Sequence, residues 1–237
     1  VNPSQGSSMA NFNFSPEKDL RWFFPTPIVV HHYPDGDKIN EELRSIILKT
    51  EDEAEPTFRN VIGGWATTKD FLNWDVPCIG ELAAYVRDLL ASVVEATTQG
   101  PNVPHMSHFG MESWANILRS GGYHAPHSHT NCFWSGVYYV SVGKVDETLP
   151  YSGQIELFDP RSAGGGTAVP GSIFWRKFRL NPEPGMMILF PSWVTHMVHP
   201  FHGEGERISV AFNMIRNPDP AAHETEQDGL QDGLLDR

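Results

Sequence analysis

Between residues 105 and 215 the chain never sustains the three-to-four-residue apolar spacing of a helix. Seven short strand-like runs, 105–118, 133–142, 153–158, 171–178, 185–190, 194–198 and 207–215, alternate there with turns of Gly, Pro, Asp and Asn. Such runs bury their apolar faces by pairing strand with strand. Two helical stripes precede them. Residues 38–50 (KINEELRSIILKT) set Ile39, Leu43, Ile46 and Ile47 on one face, with Asp37 as N-cap. Residues 79–98 repeat Leu82, Val86, Leu89, Leu90, Val93 and Val94 before Gly100. Helices followed by strands predict a mostly β fold with flanking helices, the helices laid on one face of an antiparallel double sheet closed as a jelly roll. FFPTPIVVHH (23–32) is expected to add an early strand whose His31 and His32 point apart. Residues 51–77 read as loop, with Trp65, Phe71 and Trp74 plugging the edge of the core.

A chain of 237 residues, 40% of them hydrophobic, fills one sizeable core, and nothing in its middle reads as a linker. The expected layout is a flexible N-terminus (1–20), one jelly-roll domain with a helical N-terminal part (21–216) and an acidic C-terminal tail (217–237). Residues 219–237 hold six acids and one base, so they carry −5 of the net −12 and leave −7 on the body. An acidic body repels phosphate backbones, which argues against nucleic acid as a partner. The tail is expected to be disordered or docked on a neighbour, which leaves room for a homo-oligomer. Cys78 and Cys132 lie far apart and read as free thiols of a cytoplasmic protein. No apolar run approaches the ~20 residues of a spanning helix, so membrane insertion is not expected.

In YHAPHSHTNCFWSGVYYV (123–140), His127 and His129 stand one residue apart where a strand begins. Side chains two apart in an extended segment share a face, and Pro126 biases Ala125 toward extension. This is a chelating spacing. A third imidazole is available from His196 in GMMILFPSWVTHMVHP, whereas His199 faces away from His196 in an extended segment. Lone histidines sit at surfaces far more often than on metals, but a same-face pair with a distal His after a strand points to a mononuclear metal site.

The last run, ERISVAFNM, puts Arg207, Ser209, Ala211 and Asn213 on one face and Ile208, Val210, Phe212 and Met214 on the other. A guanidinium and a hydroxyl on such a face suit a carboxylate; the competing reading pairs Arg207 with Glu204 or Glu206. The Gly-rich stretches 143–153 and 159–171 read as mobile surface loops or lids, because Gly164–Gly166 leads neither to a phosphate-loop Lys nor to a helix. Arg161 in the second of them could meet an anionic substrate or a surface acid.

Together, HxH at 127–129, SGVYYV, LFPSW ahead of His196 and the Arg207-x-Ser209 step resemble the double-stranded β-helix oxygenases, cupin-like jelly rolls that use Fe(II) and 2-oxoglutarate. The likeness is to a group of small bacterial and phage members with an HxH motif, and it covers residues 105–215 well. It implies iron on His127, His129 and His196. It implies 2-oxoglutarate as cosubstrate, its far carboxylate on Arg207, eleven positions after His196, and on Ser209, with a further contact from Asn116. The activity it implies is that of a hydroxylase, in which 2-oxoglutarate is oxidatively decarboxylated while a C–H of a small-molecule or peptidyl substrate gains a hydroxyl. Phe133, Trp134, Tyr139, Phe190 and Trp193 could line its dry cavity.

His129 departs from the family pattern, since most members carry Asp or Glu at that position. Three imidazoles would also suit Zn(II) with a bound water or the three-His iron of cupin-type dioxygenases, and Glu156 or Asp159 could replace one His. A zinc hydrolase and a non-catalytic jelly-roll binding module are the rival classes; both leave Arg207 unexplained.

Overall fold

Ile208, Val210, Phe212 and Met214, the apolar face of the last sequence run, all enter one core. Their strand lies in the middle of the sheet. The computed structural model describes residues 26–34, 36–57, 61–98, 105–160 and 177–217. Among the described residues nine strands run in chain order as β1 (Val29–His32), β2 (Val61–Ala66), β3 (Phe109–His127), β4 (Cys132–Val145), β5 (Ile155–Phe158), β6 (Lys177–Leu180), β7 (Met186–Pro191), β8 (His196–Val198) and β9 (Gly203–Arg216). Helix α1 (Gly36–Glu53) follows β1, and α2 (Pro77–Thr97) follows β2. The strands are ordered β1-β7-β4-β9-β3-β8-β5-β6, with β2 added on β3, and every pairing among them is antiparallel. The sheet curls on itself as a jelly roll.

Period-two alternation sorts each central strand between two environments. Trp134, Tyr138 and Val140 of β4 join the β9 face under the helices, where α1 contributes Ile39, Leu43 and Ile47 and α2 contributes Ile79, Leu82, Val86, Leu90 and Val94. Each fully buried Leu or Ile there contributes about 1.5–3 kcal/mol. The opposite face turns into the roll. Tyr139, Ile155, Leu157, Ile188 and Phe190 form a second, smaller core, which leaves a cavity beside it.

Residues 61–66, expected as loop, instead form β2 against β3, with the register shifting between Ile62 and Gly64. Gly63 takes φ +66° at that shift, a conformation that favours glycine, so the Gly-Gly step that reads as loop is the bulge of a strand. β3 runs nine residues past the expected end at 118, because its first half pairs with β9 and its second with β2 and β8. Asp37 sits in the first turn of α1 rather than capping it, and α2 opens on Pro77, whose fixed φ suits a first turn. Trp65 and Phe71 are buried under the helices, with Trp74 packed against them. Cys78 and Cys132 are both free. Among the described residues no helix is long and apolar enough to cross a membrane. The N-terminus (1–20), Phe23 to Pro25, Gly100, residues 161–176 with Arg161, and the tail from 218 onward lie outside the described residues.

Candidate metal centre

The strand end that carries the first two histidines is shaped by a bulge. His124 pairs with Val198 and His127 with His196, so β3 spends three residues where β8 spends two. Pro126 lies inside that excess, where a residue without an N–H is tolerated. The pairing sets His127 directly across from His196, and the backbone N–H of His129 donates to the Ser192 carbonyl at 2.9 Å, which ties the third imidazole to the same end of the roll. One ligand nitrogen from each of the three rings falls within 4.8 Å of the other two. Ring centroids are 4.3 Å apart for His127 and His196, 5.1 Å for His127 and His129, and 5.2 Å for His129 and His196.

Two of the imidazoles are oriented by backbone carbonyls. Nδ1 of His127 lies 2.7 Å from the Ala125 carbonyl and Nδ1 of His196 lies 3.0 Å from that of Val194. A carbonyl only accepts, so Nδ1 carries the proton and Nε2 keeps the free lone pair a metal requires. Burial, reinforced by the neighbouring imidazoles, holds the pKa of His196 down to about 3 and that of His129 to about 4; burial lowers His127 as well. All three are neutral, ligand-ready bases at neutral pH.

The same cavity is lined by Asn116, Ser209 and Arg207, brought together by register: Asn116 and Tyr139 both lie opposite Ser209, on its two sides. Arg207 is 1% exposed. Its Nε donates to the Gly153 carbonyl at 3.0 Å, while Nη2 has no partner. Neither acid of the competing reading reaches it, since Glu206 is held by Arg44 at 2.7 Å and Glu204 by Lys144 at 3.4 Å. Burial pushes the guanidinium pKa down, opposed by the adjacent Tyr139, whose buried hydroxyl interacts with the guanidinium without forming a well-aligned hydrogen bond. The Asn116 Oδ1 edge is unpartnered. A buried cation with unpartnered polar groups around it suits a carboxylate, provided that the Asn116 amide turns its N–H edge inward.

Residues 112–213 match the family described as Putative 2OG-Fe(II) oxygenase, 2OG being 2-oxoglutarate. Over that stretch the chain is similar to a 2OG-Fe(II) oxygenase domain. Solved structures of the same fold include a Pseudomonas putida prolyl-4-hydroxylase, 16% identical over 81% of this chain and 93% of that one, with a TM-score of 0.58. A Trichoplax adhaerens prolyl hydroxylase in complex with a hypoxia inducible factor oxygen degradation domain peptide fragment is 11% identical over 80% and 83%, with a TM-score of 0.55. HygX from Streptomyces hygroscopicus, with nickel and 2-oxoglutarate bound, is 14% identical over 81% and 83%, with a TM-score of 0.55. No curated protein sequence matches the chain.

The structure departs in places from what the sequence suggested. Glu156, weighed as a substitute ligand, lies opposite Met197 and points out of the roll, where it bonds His199 at 2.9 Å and Lys177 at 2.7 Å. No carboxylate, Asp159 included, belongs to the His cluster among the described residues. Of the aromatics expected in the cavity, Tyr139 and Phe190 line it, Trp134 falls on the helix side by alternation, and Phe133 and Trp193 are exposed. The stretch 143–153 is pinned at its end, where Gly153 accepts from Arg207 and Ser152 bonds the His202 backbone. His124 was missed. It lines the cavity beside His127, with burial holding its pKa to about 3. In a regular strand it would face away from His127, three residues on; the bulge turns it inward, and Pro126 was the one signal of that.

Proposed function

We propose that the protein couples oxidative decarboxylation of 2-oxoglutarate to hydroxylation of a small-molecule or peptidyl substrate, with iron on His127, His129 and His196. The observation that carries this reading is Arg207, buried with no anion among the described residues at one end of a cavity whose other end holds three neutral imidazoles. The donor set fits an iron(II) ion, and the unpartnered Arg207 Nη2 and the adjacent Tyr139 hydroxyl fit a carboxylate. Iron, when bound, would supply the coordination sites at which oxygen is reduced by two electrons from the keto acid, released as succinate and carbon dioxide, and two from the C–H bond that gains the hydroxyl.

The chain's own residues do the positioning. The Ala125 and Val194 carbonyls fix two imidazoles, so the ligand nitrogens are preorganised before metal arrives. Arg207, Tyr139, Ser209 and an Asn116 amide turned with its N–H inward would hold the far carboxylate. Val137, Ile155 and Phe190 keep that end dry, which strengthens each of those hydrogen bonds. The zinc-hydrolase and three-His dioxygenase readings share the imidazoles but leave the Arg207 receptor empty.

The test is succinate formation from 2-oxoglutarate by iron-loaded protein in air. Slow uncoupled turnover is expected in wild type and its loss in Arg207→Leu. A wild-type protein that neither binds nor turns over 2-oxoglutarate would overturn the reading.

A further inference from the structure

Asn213 is 3% exposed and borders both chambers of the cavity. The deep chamber also contains Arg207, Tyr139, Asn116 and His196; the outer one, toward Lys69 and Val61, contains none of these but shares His124, His127 and His129. On β9, Asn213 follows Arg207 by six residues on the same face, about 20 Å of strand at 3.3–3.4 Å per residue. A five-carbon keto acid held at Arg207 covers less than half of that. Asn213 therefore lies beyond the reach of such a keto acid, at the end of the deep chamber that it shares with the outer one.

Its amide is held in one orientation. Ser135 Oγ donates to Asn213 Oδ1 at 2.8 Å, and Ser135 Oγ is itself 2.8 Å from Ser192 Oγ, all three side chains being buried. With the oxygen engaged, the amide N–H groups are the edge left for the cavity. The cation bordering the outer chamber among the described residues, Lys69, is paired with Glu112 at 2.6 Å. A neutral amide donor beside a neutralised cation favours a neutral acceptor over a carboxylate.

Resting on the oxygenase reading above, we propose that Asn213 is a substrate-binding residue that donates a hydrogen bond to an amide carbonyl of the substrate, with Ser135 and Ser192 as positioning residues. The substrate class is amides whose reacting C–H lies near that carbonyl.

The experiment uses the full chain loaded with Zn(II) and 2-oxoglutarate and labelled with nitrogen-15 on asparagine. The Asn213 side-chain signals are assigned by their absence in Asn213→Asp. Probes are N-acetyl amino acid N-methylamides and their carbonyl-free amine analogues. At least one amide should shift the Asn213 signals while its amine does not. Asn213→Ala should weaken that amide about five- to tenfold, as expected for one neutral hydrogen bond, and leave 2-oxoglutarate affinity unchanged. Ser135→Ala should broaden the Asn213 signals and weaken the amide less. Unmoved signals across the panel, or an equal loss of 2-oxoglutarate binding in Asn213→Ala, would overturn the inference. Wild type that binds no 2-oxoglutarate would instead sink the oxygenase reading itself.

Discussion

Arg207 is the residue at which stability and binding oppose each other. A buried guanidinium with one backbone acceptor and no anion among the described residues is destabilising, and its lowered pKa records the same penalty. Arg207→Leu is therefore expected to raise the unfolding free energy of the ligand-free protein by about 1–2 kcal/mol in urea denaturation; a clear loss of stability would mean that the cation is compensated. The imidazoles make a second prediction. Single His127→Ala, His129→Ala and His196→Ala changes should sharply lower iron occupancy by metal analysis, while His199→Ala, whose ring is held by Glu156 outside the roll, should keep it. A third concerns pH. Histidines of the unfolded chain titrate near 6.5, while His124 and His196 are held to about 3 and His129 to about 4 in the fold. The unfolded state then binds more protons between those values, so metal-free stability is full above about pH 6.5 and falls on acidification toward 3. His124→Gln should flatten part of that acid limb, and an unchanged slope would remove His124 from the account. At this scale the sequence showed whatever obeys simple alternation, including the face shared by Arg207 and Ser209, and hid His124, which a bulge reorients.

Elements were legible where one periodicity ran unbroken. The stripes of α1 and α2 and the alternation of β9 are of that kind, because one face of each meets a single core. β2 was not, since two glycines remove the side chains that would have shown its period. The close approach to β3 explains one of them: a Cβ on Gly64 would lie 2.6 Å from the Ile117 carbonyl oxygen and 2.7 Å from Leu118 Cδ2. Gly64→Ala should lower stability by about 1–3 kcal/mol, read by urea denaturation, because a backbone carbonyl within a paired strand cannot step aside. A variant as stable as wild type would show that β2 lifts easily from β3. β3 was read as ending at 118 for a related reason. Its sequence carries three pairings in series, and Gly121 and Gly122 between them look like a turn while lying within the strand.

At the scale of the molecule, helices on one face of the sheet leave the other face free to curl, and a cavity forms where the inner core stops filling. The jelly roll was legible because its strands are short and evenly punctuated; the assignment of each aromatic to cavity, core or surface was not, because that depends on which of two faces a one-residue shift selects. Under the function proposed above, three imidazoles and a buried arginine form two ends of one receptor for metal and 2-oxoglutarate. The most direct test is an oxygen-free calorimetric titration of iron-loaded wild type and Arg207→Leu with 2-oxoglutarate. Losing two charge-assisted hydrogen bonds removes about 3–5 kcal/mol, so the variant should bind the keto acid about a hundred- to several-thousand-fold more weakly at equal iron content. Equal affinity in the two proteins would contradict the account.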